Sequence, residues 1–107
     1  MHDQLSDVLT ALGDPARRSI VERLTRGPAT PKELASGRTI TAQAISRHLN
    51  VLEAAGLIRR TRNGQQRPCH IDPEGLRVAG QWMDRHRVFW EGSFDRLASY
   101  LDHEEEK

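Results

Sequence analysis

With 107 residues the chain has room for one small domain, and a domain of that size buries only about two-thirds of its unfolded surface, so pairing with a second chain would add burial. A single cysteine, Cys69, excludes an intrachain disulfide and suggests a reducing compartment; no apolar run of about 18 residues offers a membrane span, and Met1–Gly13 reads as an acidic amphipathic segment rather than a secretion signal, so a cytoplasmic location is expected. The near-neutral formal charge of +1 hides an asymmetry: residues 38–70 hold Arg38, Arg47, Arg59, Arg60, Arg62 and Arg67 against one acid, Glu53, while residues 73–107 hold five basic and eight acidic side chains, which points to a localised site for a polyanion.

In chain order, Leu5, Val8, Leu9 and Leu12 recur at the spacing of one helical face and predict a first helix from about Asp3 to Leu12, ended by Gly13. Asp14-Pro15 supplies an N-cap followed by proline at the first helical position. Ile20, Val21 and Leu24 are the buried positions of that second helix, which Gly27-Pro28 stops. Thr30-Pro31-Lys32-Glu33 reads as a capping box opening a short third helix that buries Leu34 and Ala35 and breaks at Gly37. Thr41 caps a fourth helix that runs to about Ala55 and ends at Gly56. Ile45, Leu49 and Leu52 form its core stripe, and Gln43, Ser46, Arg47 and Asn50 line the opposite face, which is narrow, polar and almost free of acids.

Leu57–Arg62 and Gln65–Ile71 flank Asn63-Gly64, the strongest short signal for a two-residue hairpin turn. A turn there sets Arg62 opposite Gln65, Arg60 opposite Arg67 and Ile58 opposite Cys69, giving a ribbon with an apolar base and a basic tip. Pro68 cannot donate to a ladder, which predicts an edge position for the return strand. Asp72-Pro73 then opens a long helix over residues 72–107, with a break expected near Gly80. Its apolar stripe is Leu76, Ala79, Met83, His86, Trp90, Leu97 and Leu101, widened by Trp82, Phe89 and Phe94, and its acidic end His103–Lys107 is expected to fray. Trp82, Phe89, Trp90, Phe94 and Tyr100 are all the aromatics of the chain, so the first 81 residues must build their core from aliphatic side chains.

Two short helices, a turn and a basic ribbon are the parts needed to set one helix in the major groove of duplex DNA and grip the phosphates beside it. Gln43 can offer a donor and an acceptor to an adenine edge, Arg47 can fork onto guanine, and Ser46 can do either or hold a phosphate. Thr41 lies at a helix N-terminus, where backbone N–H groups favour a phosphate. Asn50 continues the same face, and His48, beside the core stripe, reads as a packing or phosphate-bonding histidine rather than a metal ligand. Arg60, Arg62, Gln65 and Arg67 on the ribbon would add backbone or minor-groove contacts. So much aromatic surface on the last helix is excessive for a lone chain and predicts a symmetric pair.

Asp14-Pro15-x-Arg17-Arg18-x-Ile20, Glu33-Leu34-Ala35, Ile45-Ser46-Arg47-His48-Leu49-x-Val51-Leu52 and Ala55-Gly56-Leu57-Ile58 together resemble the ArsR-type winged helix–turn–helix repressors, over nearly the whole chain. The resemblance implies a mainly α fold with a small β-hairpin and one domain over residues 1–107. It implies a homodimer through the first and last helices, for which Leu5, Val8, Leu9, Trp82, Phe89, Trp90, Phe94, Leu97, Tyr100 and Leu101 are the candidate interface residues. It further implies a transcription factor on an inverted-repeat operator, usually a repressor released by an effector, which the sequence does not name.

The chain departs from the metal-sensing members. Ala35 and Gly37 stand where one motif has two cysteines; Asp84 and His86 match half of another, whose second half is here Leu97 and Tyr100. Two ligands cannot close a tetrahedral site, and Cys69 alone is a poor soft-metal site, so neither metal nor cofactor is expected. The segment Trp82-Met83-x-Arg85-x-Arg87-x-Phe89-Trp90-Glu91 with Leu97-x-x-Tyr100-Leu101 resembles the branch of the family without metal sites. Arg38 replaces a usually apolar residue in the turn, Gln43 a frequent proline, and Pro68-Cys69 a commonly aromatic pair. A protein–protein interaction module on the same fold is the rival reading, and it would not need Gln43, Ser46 and Arg47 on the same side as the ribbon arginines. A MarR-like regulator usually has longer helical flanks. An enzyme is not expected, since no phosphate loop, nucleophile constellation or metal-ligand set is present.

Overall fold

Side-chain caps fix where the helices begin. In the computed structural model, which describes residues 3–105, Asp3 caps α1 (Gln4–Leu12), Asp14 caps α2 (Pro15–Leu24), Thr30 caps α3 (Pro31–Ala35), Thr41 caps α4 (Ala42–Ala54) and Asp72 caps α5 (Pro73–Arg85). Each accepts a backbone N–H of the first turn that would otherwise lack a partner, worth about 1 kcal/mol per cap. The box at α3 is reciprocal: Thr30 Oγ1 accepts from Glu33 N, and Glu33 Oε1 accepts from Thr30 N. A two-stranded antiparallel hairpin, β1 (Ile58–Arg60) and β2 (Cys69–Ile71), separates α4 from α5, and α6 (Arg87–Glu105) ends the described chain.

The core is aliphatic, as the placing of the aromatics required. Val8 and Ala11 of α1, Ile20, Val21 and Leu24 of α2, Leu34 of α3, Ile45, Leu49 and Leu52 of α4, and Leu57, Ile58 and Cys69 at the hairpin base are buried together. In α1 this differs from the expected face: Ala11 is inside, Leu9 is 47% exposed, and Val8 is fully buried within its own chain. Val8 therefore belongs to the core and not to a surface that a second chain could touch. Arg38 packs the turn through polar bonds, donating from Nε to the Leu34 carbonyl and from Nη1 to Ser19 Oγ.

The hairpin register differs from expectation. Ile58 faces Ile71, Arg59 faces His70 and Arg60 faces Cys69, with Asn63 and Gln66 closing the turn. Arg60 is thus opposite Cys69, not Arg67, and Ile58 is not opposite Cys69. The cause is the turn type. A loop centred on Asn63-Gly64 needs positive φ at both residues, whereas only Gly64 has it, at 64°. The loop is centred instead on Gly64-Gln65, with glycine first, which is the type II′ arrangement. Nor is β2 an edge along its whole length: Cys69 exchanges both backbone bonds with Ala29, at 2.7 and 3.1 Å. Pro68 needs no ladder donor, because it serves through its carbonyl, which accepts from Thr61 N.

α5 docks on α1 and, through Gly75, on Gly56 in the turn that follows α4. Gly75 is the close approach: its N–H donates to the Gly56 carbonyl at 3.0 Å, and a Cβ there would lie 2.6 Å from that same oxygen. The long helix breaks at His86, not at Gly80, which is helical. At the break His86 Nδ1 donates to the Trp82 carbonyl and Trp90 Nε1 to the Met83 carbonyl. These two acceptors are the ones a continuous helix would use for the N–H groups of residues 86 and 87. Beyond the break, α6 contributes no described side chain to the core. Helix continues through Glu105, across the start of the segment expected to fray, and residues 106–107 lie outside the described residues.

Candidate nucleic-acid interface

The amphipathic pattern of α4 decides which of its sides is free. Ile45, Leu49 and Leu52 are at most 1% exposed; Gln43, Ser46, Arg47 and Asn50 are exposed along the opposite side. Gln43, Ser46 and Arg47 make no side-chain hydrogen bond or ion pair among the described residues, nor do Arg62 and Gln65 on the ribbon; Arg67 makes no side-chain hydrogen bond there. Their polar groups are unspent and solvent-facing, and arginines in that state supply the attraction and forked donors that duplex DNA takes.

The remaining expected site residues are engaged. Thr41 Oγ1 accepts from Ala44 N in its capping role. Arg60, only 13% exposed, donates from Nη2 to Asn50 Oδ1 at 2.7 Å, with its Nε 3.7 Å from Glu53 Oε1. His48 is half-buried, its Nδ1 3.4 Å from Arg17 Nη1. Arg17 was not anticipated as part of the site. It donates from Nε to the Ala11 carbonyl at 2.7 Å and from Nη2 to the Thr10 carbonyl at 3.3 Å, and it stands 3.9 Å from the Asp14 carboxylate. Arg18 likewise donates to the Leu12 carbonyl. Two arginines just after a helix that ends at glycine are the signal for this: the last carbonyls of α1 need donors.

The wing tip lies beside the start of α3, across a shallow groove lined by Thr30, Pro31, Lys32, Gln65, Gln66 and Arg67. Lys32 thereby joins the basic side. Below the tip, burial pushes the Cys69 thiol above its usual range, and the side chain is fully enclosed. Asp84 pairs with Arg87 at 2.7 Å, and His86 Nδ1 is committed to the Trp82 carbonyl. Among the described residues no group of three or more His, Cys, Asp or Glu is placed to hold a metal ion. Among the described residues no helix is long and apolar enough to cross a membrane.

Residues 12–61, the span from the end of α1 into the wing, match a helix-turn-helix domain family. An HTH-type transcriptional regulator of Mycobacterium tuberculosis, Rv2034, is 38% identical over 94 residues, covering 88% of this chain and 85% of that protein. The crystal structure of an ArsR family transcriptional regulator, RHA00566, superposes with a TM-score of 0.75 at 36% identity, over 82% of this chain and 91% of the other. The chain belongs to the ArsR family. Another member-sized relative, the transcriptional repressor SdpR of Bacillus subtilis, is 33% identical over 79 residues, 74% of this chain and 88% of that protein. This ArsR-family chain is a winged helix–turn–helix protein in which α3 and α4 are the helix–turn–helix pair, β1 and β2 the wing, and its relatives are transcriptional regulators.

Proposed function

We infer that this ArsR-family regulator binds an inverted-repeat operator in double-stranded DNA as a homodimer and represses transcription there, without a metal or other cofactor. What carries the reading is the side of α4 left bare by packing, where Gln43, Ser46 and Arg47 keep every side-chain hydrogen-bonding group unspent among the described residues. α4 enters the major groove; Gln43 and Arg47 read base edges, Ser46 and Thr41 meet phosphates, and Arg62, Gln65 and Arg67 hold the backbone beside it. The dimer is supported by the apolar side chains of the last helices, with Phe89 72% and Phe94 62% exposed. Leu5, Leu9, Trp82, Trp90, Leu97, Tyr100 and Leu101 complete the proposed interface. Repression is supported by the likeness to a named repressor.

Selection of bound duplexes from a random library by the purified protein tests this. The expected winner is an inverted repeat whose half-sites are roughly 34 Å apart, bound with a steep loss of affinity as salt rises. Recovery of no shared sequence would leave a winged-helix interaction module as the better account.

A further inference from the structure

We propose that Arg60 is a positioning residue for Asn50: it holds the Asn50 carboxamide with its oxygen toward the wing and its amino group outward, so that Asn50 meets DNA as a hydrogen-bond donor. This deepens the reading of α4 as the DNA-contacting helix and rests on it.

Arg60 ends β1 opposite Cys69, and its side chain crosses to α4, where Nη2 lies 2.7 Å from Asn50 Oδ1. A guanidinium carries five donors and no acceptor. The Asn50 atom facing it must be the oxygen, which removes the usual ambiguity of amide orientation. Glu53, one turn further along α4, places a carboxylate oxygen 3.7 Å from Arg60 Nε. That Nε is buried with no hydrogen-bond partner among the described residues, so the nearby carboxylate is the charge that keeps the guanidinium seated between wing and helix. The arrangement sets Arg60 apart from Arg62, which is exposed and without a side-chain hydrogen bond among the described residues. With its charge faced by Glu53 and its surface mostly covered, Arg60 is poorly placed to neutralise a phosphate. The consequence falls on Asn50. Its oxygen is engaged, its amino group is turned to the exposed side, and what it seeks on DNA is an acceptor: a phosphate oxygen, a purine N7, guanine O6 or thymine O4.

The test measures binding of the full chain to a duplex selected from a random library and to random duplex, over a salt series. Asn50→Ala and Arg60→Ala are each expected to weaken binding to the selected duplex about five- to tenfold, the worth of one hydrogen bond to DNA. The double variant should bind no more weakly than Asn50→Ala alone, and Arg60→Ala should leave the salt slope unchanged. Asn50→Asp, which keeps the oxygen for Arg60 and loses the donor, should lose at least as much as Asn50→Ala. Arg60→Met, which fills the same space without polar atoms, serves if Arg60→Ala does not fold. A loss confined to the selected duplex identifies a base-edge acceptor, and an equal loss on random duplex identifies a phosphate oxygen; both uphold the donor role. Additive losses, a salt slope lowered by about one in Arg60→Ala, or wild-type binding by Asn50→Asp would overturn it. Arg47→Ala separates the two levels. If it weakens binding while Asn50 and Arg60 do not matter, only their link fails; if it too is without effect, the reading of α4 fails and takes the link with it.

Discussion

Arg47 and Arg62 are both exposed arginines without side-chain hydrogen bonds among the described residues, yet one stands on a helix face and the other near a ribbon tip. Arg47→Ala is therefore expected to lower operator affinity by about 1–3 kcal/mol and to relax discrimination at one base pair. Arg62→Ala should weaken binding to every duplex alike and flatten the salt dependence by about one. Titrations on selected and random duplex compare them, and identical behaviour of the two variants would contradict the division of roles. Gln43, Ser46 and Arg47 were legible from helical periodicity alone, since the core stripe of α4 leaves only one side for them. Arg60 was not legible. Its place depends on the ladder register, and a shift of the turn centre by one residue moved its partner from Arg67 to Cys69. Arg17 escaped for another reason: bonds to carbonyls one helix back leave no mark in a periodicity.

At the scale of elements, the caps made the starts of α2, α3 and α4 readable, because each depends on one side chain and its neighbours within a turn, and Asp72-Pro73 marked that of α5. The start of α1 was read from its apolar spacing, and its Asp3 cap emerged only in the structure. The α3 box carries a pH dependence of defined sign. The Thr30 backbone N–H, and after it the Thr30 hydroxyl, hold the Glu33 carboxyl below its usual range. A carboxyl depressed in the folded state stabilises it above the unfolded pKa and ceases to do so as pH falls through the folded one. Thermal melts taken from pH 6 down to about 3, spanning the ordinary carboxylate range, should show a smaller acid loss in Glu33→Gln than in the wild type. Equal losses would mean that the ionised Glu33 carboxylate adds nothing to folding. The break in the long helix was misplaced because glycine weakens a helix by only about 1 kcal/mol and breaks it only when something competes. Competition comes at His86, where an imidazole and the indole of Trp90 take the carbonyls. Such side-chain competition is hard to foresee before the rotamers are known.

The molecule as a whole measures 64 × 32 × 26 Å. α6 accounts for an apolar surface that no described residue covers, with Leu97 55%, Tyr100 61% and Leu101 52% exposed. Phe94→Glu puts a charge in that surface without touching the core. It should convert a sedimenting dimer to a monomer and weaken binding to an inverted repeat by about 10²–10⁴-fold, the range lost when two linked sites act singly. Binding to an isolated half-site should be little changed. A wild-type protein that sediments as a monomer at micromolar concentration would remove the basis of this expectation. The concentration of aromatics in one segment announced the surface from composition, but the angle at which α6 leaves the fold could be learned only from the break at His86.

The paired backbone bonds between Ala29 and Cys69 have a mechanical meaning for the wing. Strand β2 is stitched on one flank to its hairpin mate and on the other to the connection between α2 and α3. The root of the ribbon is thereby clamped like a lever in a vice, and bending is left to the stretch from Thr61 to Pro68. A push on Arg62 or Arg67 is borne at its root by the same connection that delivers the chain to α3.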